Sequence, residues 1–200
     1  MFLILNFVFS NLFYRSVHNY SIRLLLGIVL WSFFAEASLV GMTSLKTKAH
    51  ILKKVFIPKW VVILSSTIHS TMAFIFNLII FFLFLFLYYR IFPTPLQLLL
   101  FCVYILLIYG ISLLFSFFTA TIFVRFRDLN QIWEVLLHLL FYATPIIYPI
   151  TAVPDNIRSV LYLNPMTLLI EHSRITLIDN SIARPDHLMI LICIFLPCFF

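Results

Sequence analysis

Gln131, Glu134, His138 and Tyr142 interrupt an apolar run at intervals of three or four residues. In a helix that spacing puts all four on one side. Glu134 and His138 form an i,i+4 carboxylate–imidazole pair, ionisable groups of the kind a proton or sodium relay uses. A carboxylate at membrane depth normally faces a bundle interior or a wet cavity. Glu134 also lies about two turns from the start of its run, where snorkelling to the interface is the plainer account. Ser66, His69, Ser70 and Asn77 make a similar polar side on an earlier run. Hydrogen bonding between helices explains that stripe without any substrate. Ser112, Ser116 and Thr119 read as close packing of small residues.

Other chemistries find no foothold in the sequence. There is no G-x-x-x-x-G-K-[ST], and Gly27, Gly41 and Gly110 are the only glycines, too few for a phosphate cradle. Cys102, Cys193 and Cys198 sit inside apolar runs without a C-x-x-C pair, which argues against metal or redox work. The histidines are scattered, with no H-E-x-x-H and no nucleophile–base pair. The chain therefore reads as no enzyme, with no catalytic, cofactor-binding or metal-ligating set.

The elements that must hold these residues follow from composition. The 200 residues are 64% hydrophobic, 18% aromatic and only 10% charged, with mean hydropathy +1.12. A soluble domain carries roughly a quarter of its residues as charges, so this is an all-α polytopic membrane protein. The net charge of +6 does not point to nucleic acid, because the basic residues fall in short loops between apolar runs. Those runs cover about 24–43, 60–89, 96–124 and 132–149, with shorter ones at 1–13 and 188–200. The two terminal runs are each below the length of roughly 20 residues that a span needs. They read as clipped first and last spans of a six-span bundle forming one transmembrane domain.

Lysine and arginine set the orientation. The connection 44–59 carries Lys46, Lys48, Lys53, Lys54 and Lys59 with no acid, and 125–131 adds Arg125 and Arg127. Alternating spans put both on one side, which the positive-inside bias makes cytoplasmic.

On the opposite side the run from 132 ends in FYATPIIYP, residues 141–149. Pro145 and Pro149 each remove a donor and crowd the preceding turn. Such a break survives in lipid only where protein or water satisfies the freed carbonyls. Tyr142 and Tyr148 suit an interface, and an interfacial anchor with a proline stop is one account of the stretch. The segment 151–187 that follows is too apolar for a solvated loop and too interrupted to span. Asn164 before Pro165 predicts a helix start. Met166, Leu169, Ile170 and Leu177 then share one face, with Glu171 and Arg174 a turn apart on another. PDNIRSVLYL predicts a second short helix, giving an external hairpin that could be re-entrant.

RFRDLNQIWEVLLHLLFYATPIIYP followed by LNPMTLLIEHSR resembles ABC-2 type permeases, specifically their polysaccharide-exporting branch. That branch opens its fifth span with an R-[FY]-R-D element and closes it with a T/S-P-[IV]-[IV]-Y-P stretch, before an N-P hairpin. WSFFAEASLVGMTSLKTKAHILKKVFIP is similar to the family's second span and its cytoplasmic connection. The resemblance implies a six-helix permease that dimerises and works with a separate ATP-binding cassette subunit. ATP and magnesium would bind that partner and not this chain. It places ATPase coupling at Lys46, Lys48, Lys53, Lys54 and Lys59, although basic inside loops are expected in any case. Arg125, Arg127 and Asp128 would fix the start of the fifth span. Glu134, His138, Tyr142, Pro145, Tyr148 and Pro149 would line the channel or its exit. The implied cargo is a lipid-linked polysaccharide of O-antigen, capsule or teichoic acid type, moved across a bacterial inner membrane. Rival readings are an ABC-2 permease for a drug or haem, and an ion-coupled flippase. The flippase needs several intramembrane ionisable groups, and only Glu36, Glu134, His69 and His138 qualify. A chain clipped at both ends could also be a fragment without transport activity.

Overall fold

The computed structural model describes residues 19–52, 54, 56–126, 128–150, 153–179 and 181. The apolar runs 1–13 and 188–200, with residues 182–187 of the hairpin segment, lie outside them. Among the described residues seven α-helices follow one another: α1 Tyr20–Thr47, α2 Ala49–Leu52, α3 Lys59–Leu83, α4 Pro95–Arg125, α5 Leu129–Ala143, α6 Asp155–Leu161 and α7 Pro165–Leu177. No strand occurs among the described residues. Three helical stretches, 20–47, 59–88 and 95–125, are long and apolar enough to cross a membrane.

The bundle is organised around α1. Leu24, Leu26, Leu30, Ala37 and Met42 of this helix are fully enclosed, as its unbroken apolar sequence requires. Its neighbours show the topology. Gly41 faces Ser116, Phe33 stacks near Tyr109 and Lys46 reaches Phe123, so α4 runs parallel to α1 at a nearly constant sequence offset. Lys48 meets Ser65 and Phe33 stacks on Phe74, so α3 is antiparallel. Trp133 bonds Ser38 and Phe141 approaches Trp31, so α5 is antiparallel too. One end of the bundle therefore carries the connections 44–59 and 125–131, as the sequence predicts. The other carries residues 89–94, the proline stretch, α6 and α7.

Small residues let α1 and α4 approach. A Cβ on Gly41 would collide with Ser116 Oγ and lie 2.5 Å from Ser116 Cβ. Ser112, Ser116 and Thr119 are buried, with hydroxyls donated to carbonyls one turn back in their own helix. That is the packing role read from their sizes.

The polar stripe of α3 differs from expectation. Ser66 and Ser70 are buried, but His69 and Asn77 are exposed. Ser66 bonds its own Val62 carbonyl, and Ser70 Oγ has no partner. The bond between helices comes instead from Thr67 to Tyr109, 3.0 Å apart. Self-bonding by Ser and Thr removes the need for a cross-helix partner.

Element ends also depart from the apolar runs. The α1 helix continues to Thr47, four residues into the connection that lysine content marked as loop. The last turn of the third run is π-helical, Phe84–Tyr88, before Arg90 turns the chain with φ 51°. Thr94 and Gln97 then form a reciprocal capping box around Pro95, with Thr94 N donating to Gln97 Oε1 at 2.6 Å. The T-P-L-Q spacing carries that box in the sequence. The α5 helix stops at Ala143, six residues before Pro149. At 15 residues it rises only about 22 Å, short of the hydrocarbon thickness.

Candidate functional site

Thr144 precedes a proline, and its φ −81° and ψ 135° are the extended geometry that such a position favours. Helical bonding ends there, leaving the carbonyls of residues 145–147 without helical partners. All three are nonetheless satisfied. Arg174 donates Nη1–H to Pro145 O at 2.7 Å and Nη2–H to Ile146 O at 2.8 Å. Its Nε–H goes to Arg23 O at 3.1 Å. Tyr20 OH donates to Ile147 O at 2.6 Å. A single buried guanidinium thus ties the proline break of one segment to the first turn of α1.

The α7 helix brings Arg174 to this place. Asn164 caps it as expected, Oδ1 accepting from Met166 N at 3.0 Å. The same side chain donates Nδ2–H to Thr144 Oγ1 at 3.1 Å, so the cap also holds the break. Replacing Asn164 with Ala should cost about 1–2 kcal/mol. Thermal unfolding of the detergent-purified protein would report the loss. Glu171 lies 3.4 Å from Arg174 Nη1, and Arg23 pairs with Asp179 just past the helix. Burial draws the Arg174 guanidinium below its ordinary pKa, while Glu171 opposes the shift. An arginine remains charged regardless.

Two features here were not visible beforehand. Spacing put Arg174 on a different face from Met166, Leu169, Ile170 and Leu177, and all five are buried. The helix is enclosed on nearly every side, with His172 against Tyr104 of α4 at 6.0 Å between ring centres. Gly27 is the second. A Cβ there would lie 2.7 Å from Arg174 Nη2 and 3.1 Å from Ile146 Cγ2, so the guanidinium passes over α1 where no side chain stands. A glycine in an apolar helix is a weak signal for a neighbouring cation.

The expected channel residues separate into two groups. Pro145, Tyr148 and Pro149 belong to the Arg174 junction, where Tyr148 OH donates to Ala143 O at 3.2 Å. Tyr20, Arg23, Glu171 and Arg174 enclose only about 30 Å³ beside them, room for about one water and no ligand. Glu134, His138 and Tyr142 instead border a cleft of about 200 Å³ between α1 and α5. Ile28, Trp31, Ser32, Ala35 and Leu39 form the opposing wall. Trp31 and Phe141 have ring centres 6.1 Å apart, and Phe141 meets Tyr142 edge to face at 5.4 Å. Glu134 Oε1 accepts from Asn130 Nδ2 at 2.7 Å. The Glu134 carbonyl, not its carboxylate, meets His138 Nδ1 at 2.7 Å. The i,i+4 side-chain pair is therefore not made, and Gln131 is exposed outside the cleft lining. Trp133 fixes the cleft wall, donating Nε1–H to Ser38 Oγ at 3.0 Å and stacking on Phe115 at 3.9 Å.

At the basic end the lysines divide by task. Lys46 Nζ sits 5.2 Å from the centre of the Phe123 ring, and Lys48 Nζ donates to Ser65 Oγ at 3.1 Å. Both clip this end of the bundle together. Lys54, Lys59 and Arg125 are exposed. Lys53 and Arg127 lie outside the described residues. Asp128 occupies the cap position of α5 without a capping bond from its side chain. Its charge can still favour the positive end of that helix.

A family model described as ABC-2 type transporter matches residues 1–178. The chain is 28% identical over 191 residues to an O-antigen export system permease protein RfbA of Klebsiella pneumoniae, covering 92% of this chain and 71% of the relative. A second protein of that name from the same organism is 27% identical over 170 residues, covering 82% and 63%. One from Myxococcus xanthus is 28% identical over 186 residues, covering 92% and 71%. The chain thus spans between 63% and 71% of the length of these relatives. With apolar helices packed around α1 and a family match reaching from the first residue to the end of α7, the chain belongs to the ABC-2 type transporter family.

Proposed function

We propose that this chain is the membrane-spanning permease subunit of an ATP-driven exporter of lipid-linked polysaccharide. The observation that carries the reading is the similarity, across most of the chain, to permeases named for O-antigen export. The permease acts as a homodimer in a bacterial inner membrane with its basic end in the cytoplasm. A separate ATP-binding cassette subunit supplies ATP and magnesium chemistry. Lys46 and Lys48 are engaged within the bundle, so docking of the ATPase falls to Lys53, Lys54 and Lys59. Arg125, Arg127 and Asp128 fix the start of the fifth span. The cargo path follows the cleft between α1 and α5 toward the proline break, where Pro145, Tyr148 and Pro149 turn the chain into the external hairpin.

Tagged protein purified from native membranes in mild detergent should bring down a Walker-A ATPase in fixed ratio. A Lys53→Glu/Lys54→Glu variant should lower that recovery about tenfold, since reversed charges at an interface repel a complementary partner. A folded wild-type chain that retains no ATPase would count against the reading and favour an ion-coupled flippase.

A further inference from the structure

The cleft between α1 and α5 has a chemistry that its neighbours lack. Its aromatic wall is continuous through Trp31, Phe141 and Tyr142, with Tyr142 exposed. Each polar group on the rim can accept a hydrogen bond, and the Ser32 and Tyr142 hydroxyls can also donate. His138 Nδ1–H is committed to the Glu134 carbonyl, so in the uncharged ring Nε2 keeps its lone pair for a donor. Glu134 keeps one carboxylate oxygen beyond the bond from Asn130. Ser32 is exposed on the opposite wall. Aromatic faces beside acceptors suit a ring that presents C–H faces and hydroxyl donors.

Charge narrows the choice further. Within 24–45 of α1, 60–88 of α3 and its π-turn, 95–124 of α4 and all of α5, the only Asp, Glu, Lys or Arg residues are Glu36 and Glu134. Glu134 lines the cleft, and Glu36 lies on α1 between the lining residues Ala35 and Leu39. The described bundle therefore offers two carboxylates and no fixed cation across its depth. Of the cations at the other end, Arg23 and Arg174 are bound to Asp179, Glu171 and backbone carbonyls. Arg158 donates to Val153 O, and Arg90 lies on the 89–94 connection outside the cleft lining. In a low-dielectric setting a fixed carboxylate strongly disfavours an anionic ligand.

We propose that the α1–α5 cleft is a binding site for uncharged polyhydroxylated rings, and that Glu134 makes it reject glycans bearing carboxylate or phosphate. This rests on the polysaccharide-export reading and narrows it to neutral repeat units. His138 and Ser32 take hydroxyl contacts, Trp31, Phe141 and Tyr142 cover the ring face, and Glu134 accepts a hydroxyl while excluding acids.

The test uses the full chain in lipid nanodiscs, with tryptophan fluorescence as the reporter because Trp31 forms part of the wall. A short neutral gluco-oligosaccharide should give a saturable change, and the same chain with one glucuronate should bind about tenfold more weakly. Glu134→Gln keeps shape and should shrink that difference to about twofold or less. Ser32→Phe fills the cleft and should abolish the signal for both sugars. Equal binding of the neutral and acidic chains to wild-type protein would overturn the charge selection. A neutral chain that fails to bind, or binds unchanged after Ser32→Phe, would overturn the site. ATPase co-purification is measured on the same preparation, so failure of the site is separable from failure of the permease reading.

Discussion

Substituting Arg174 with Met should cost the fold about 3–5 kcal/mol, the range for losing one member of a buried charged network. Methionine fills similar length but donates nothing. Pro145, Ile146 and Arg23 carbonyls would each lose a charge-assisted bond worth about 1.5–3 kcal/mol, although such losses do not simply add. Glu171 would be left without its partner. The expected result is a lower thermal midpoint and a poor yield of monodisperse protein in detergent. Arg174→Lys should recover only part, because an ammonium cannot present the planar fork that reaches three acceptors on two elements. Adding Glu171→Gln to the Met variant should restore a fraction by removing the stranded carboxylate. A Met variant as stable as wild type would show that the carbonyls are satisfied without the guanidinium.

Replacing Gly41 with Leu should have the next largest effect. Even a methyl at this position meets Ser116 Cβ at 2.5 Å and Thr67 Cγ2 at 3.2 Å, both fixed by their helices. Overpacking of this kind costs about 1–3 kcal/mol for modest additions, and a full leucine has to separate α1 from α4. Gly41→Ala should destabilise less and respond to compensation. Ser116→Gly removes both clashing atoms and should return most of the stability, whereas Ser116→Ala leaves the offending Cβ and should return little. Thermal midpoints of wild type, Gly41→Ala, Ser116→Gly and the double variant make a double-mutant cycle. If Ser116→Ala rescued as well as Ser116→Gly, the close approach of these helices would be wrong.

Much of the architecture was legible because lipid imposes simple rules. Apolar length located the helices that became α1, α3 and α4, and alternation of the spans placed two basic connections at one end. Asn164 with Pro165 announced α7 through local capping chemistry alone. The site was legible only in part. The prolines demanded donors for freed carbonyls, yet nothing local named Arg174, which follows Pro145 by 29 residues. Spacing put Arg174 a turn from Glu171, but burial is a property of tertiary packing that spacing cannot supply. Glu134 and His138 were correctly placed on one side, but spacing suggested a side-chain pair where the imidazole chose a backbone carbonyl. In sequence Tyr142 and Tyr148 both read as interfacial residues at the exit. The break at Thr144 sends them to different places.

The contacts of α1 have a consequence for how the protein is made. This helix is among the first described segments to leave the ribosome, yet it needs partners encoded far downstream. Gly41 waits for Ser116, and the Arg23 carbonyl waits 151 residues for Arg174. At about 5–20 residues per second, that interval is roughly 8–30 seconds. During it α1 stands in the bilayer with Glu36 and its small-residue groove open to any passing helix. Biogenesis must therefore shelter an unfinished centre and not an unfinished edge. Nascent chains stalled before α7 should be the forms that insertion chaperones hold longest and membrane proteases remove first.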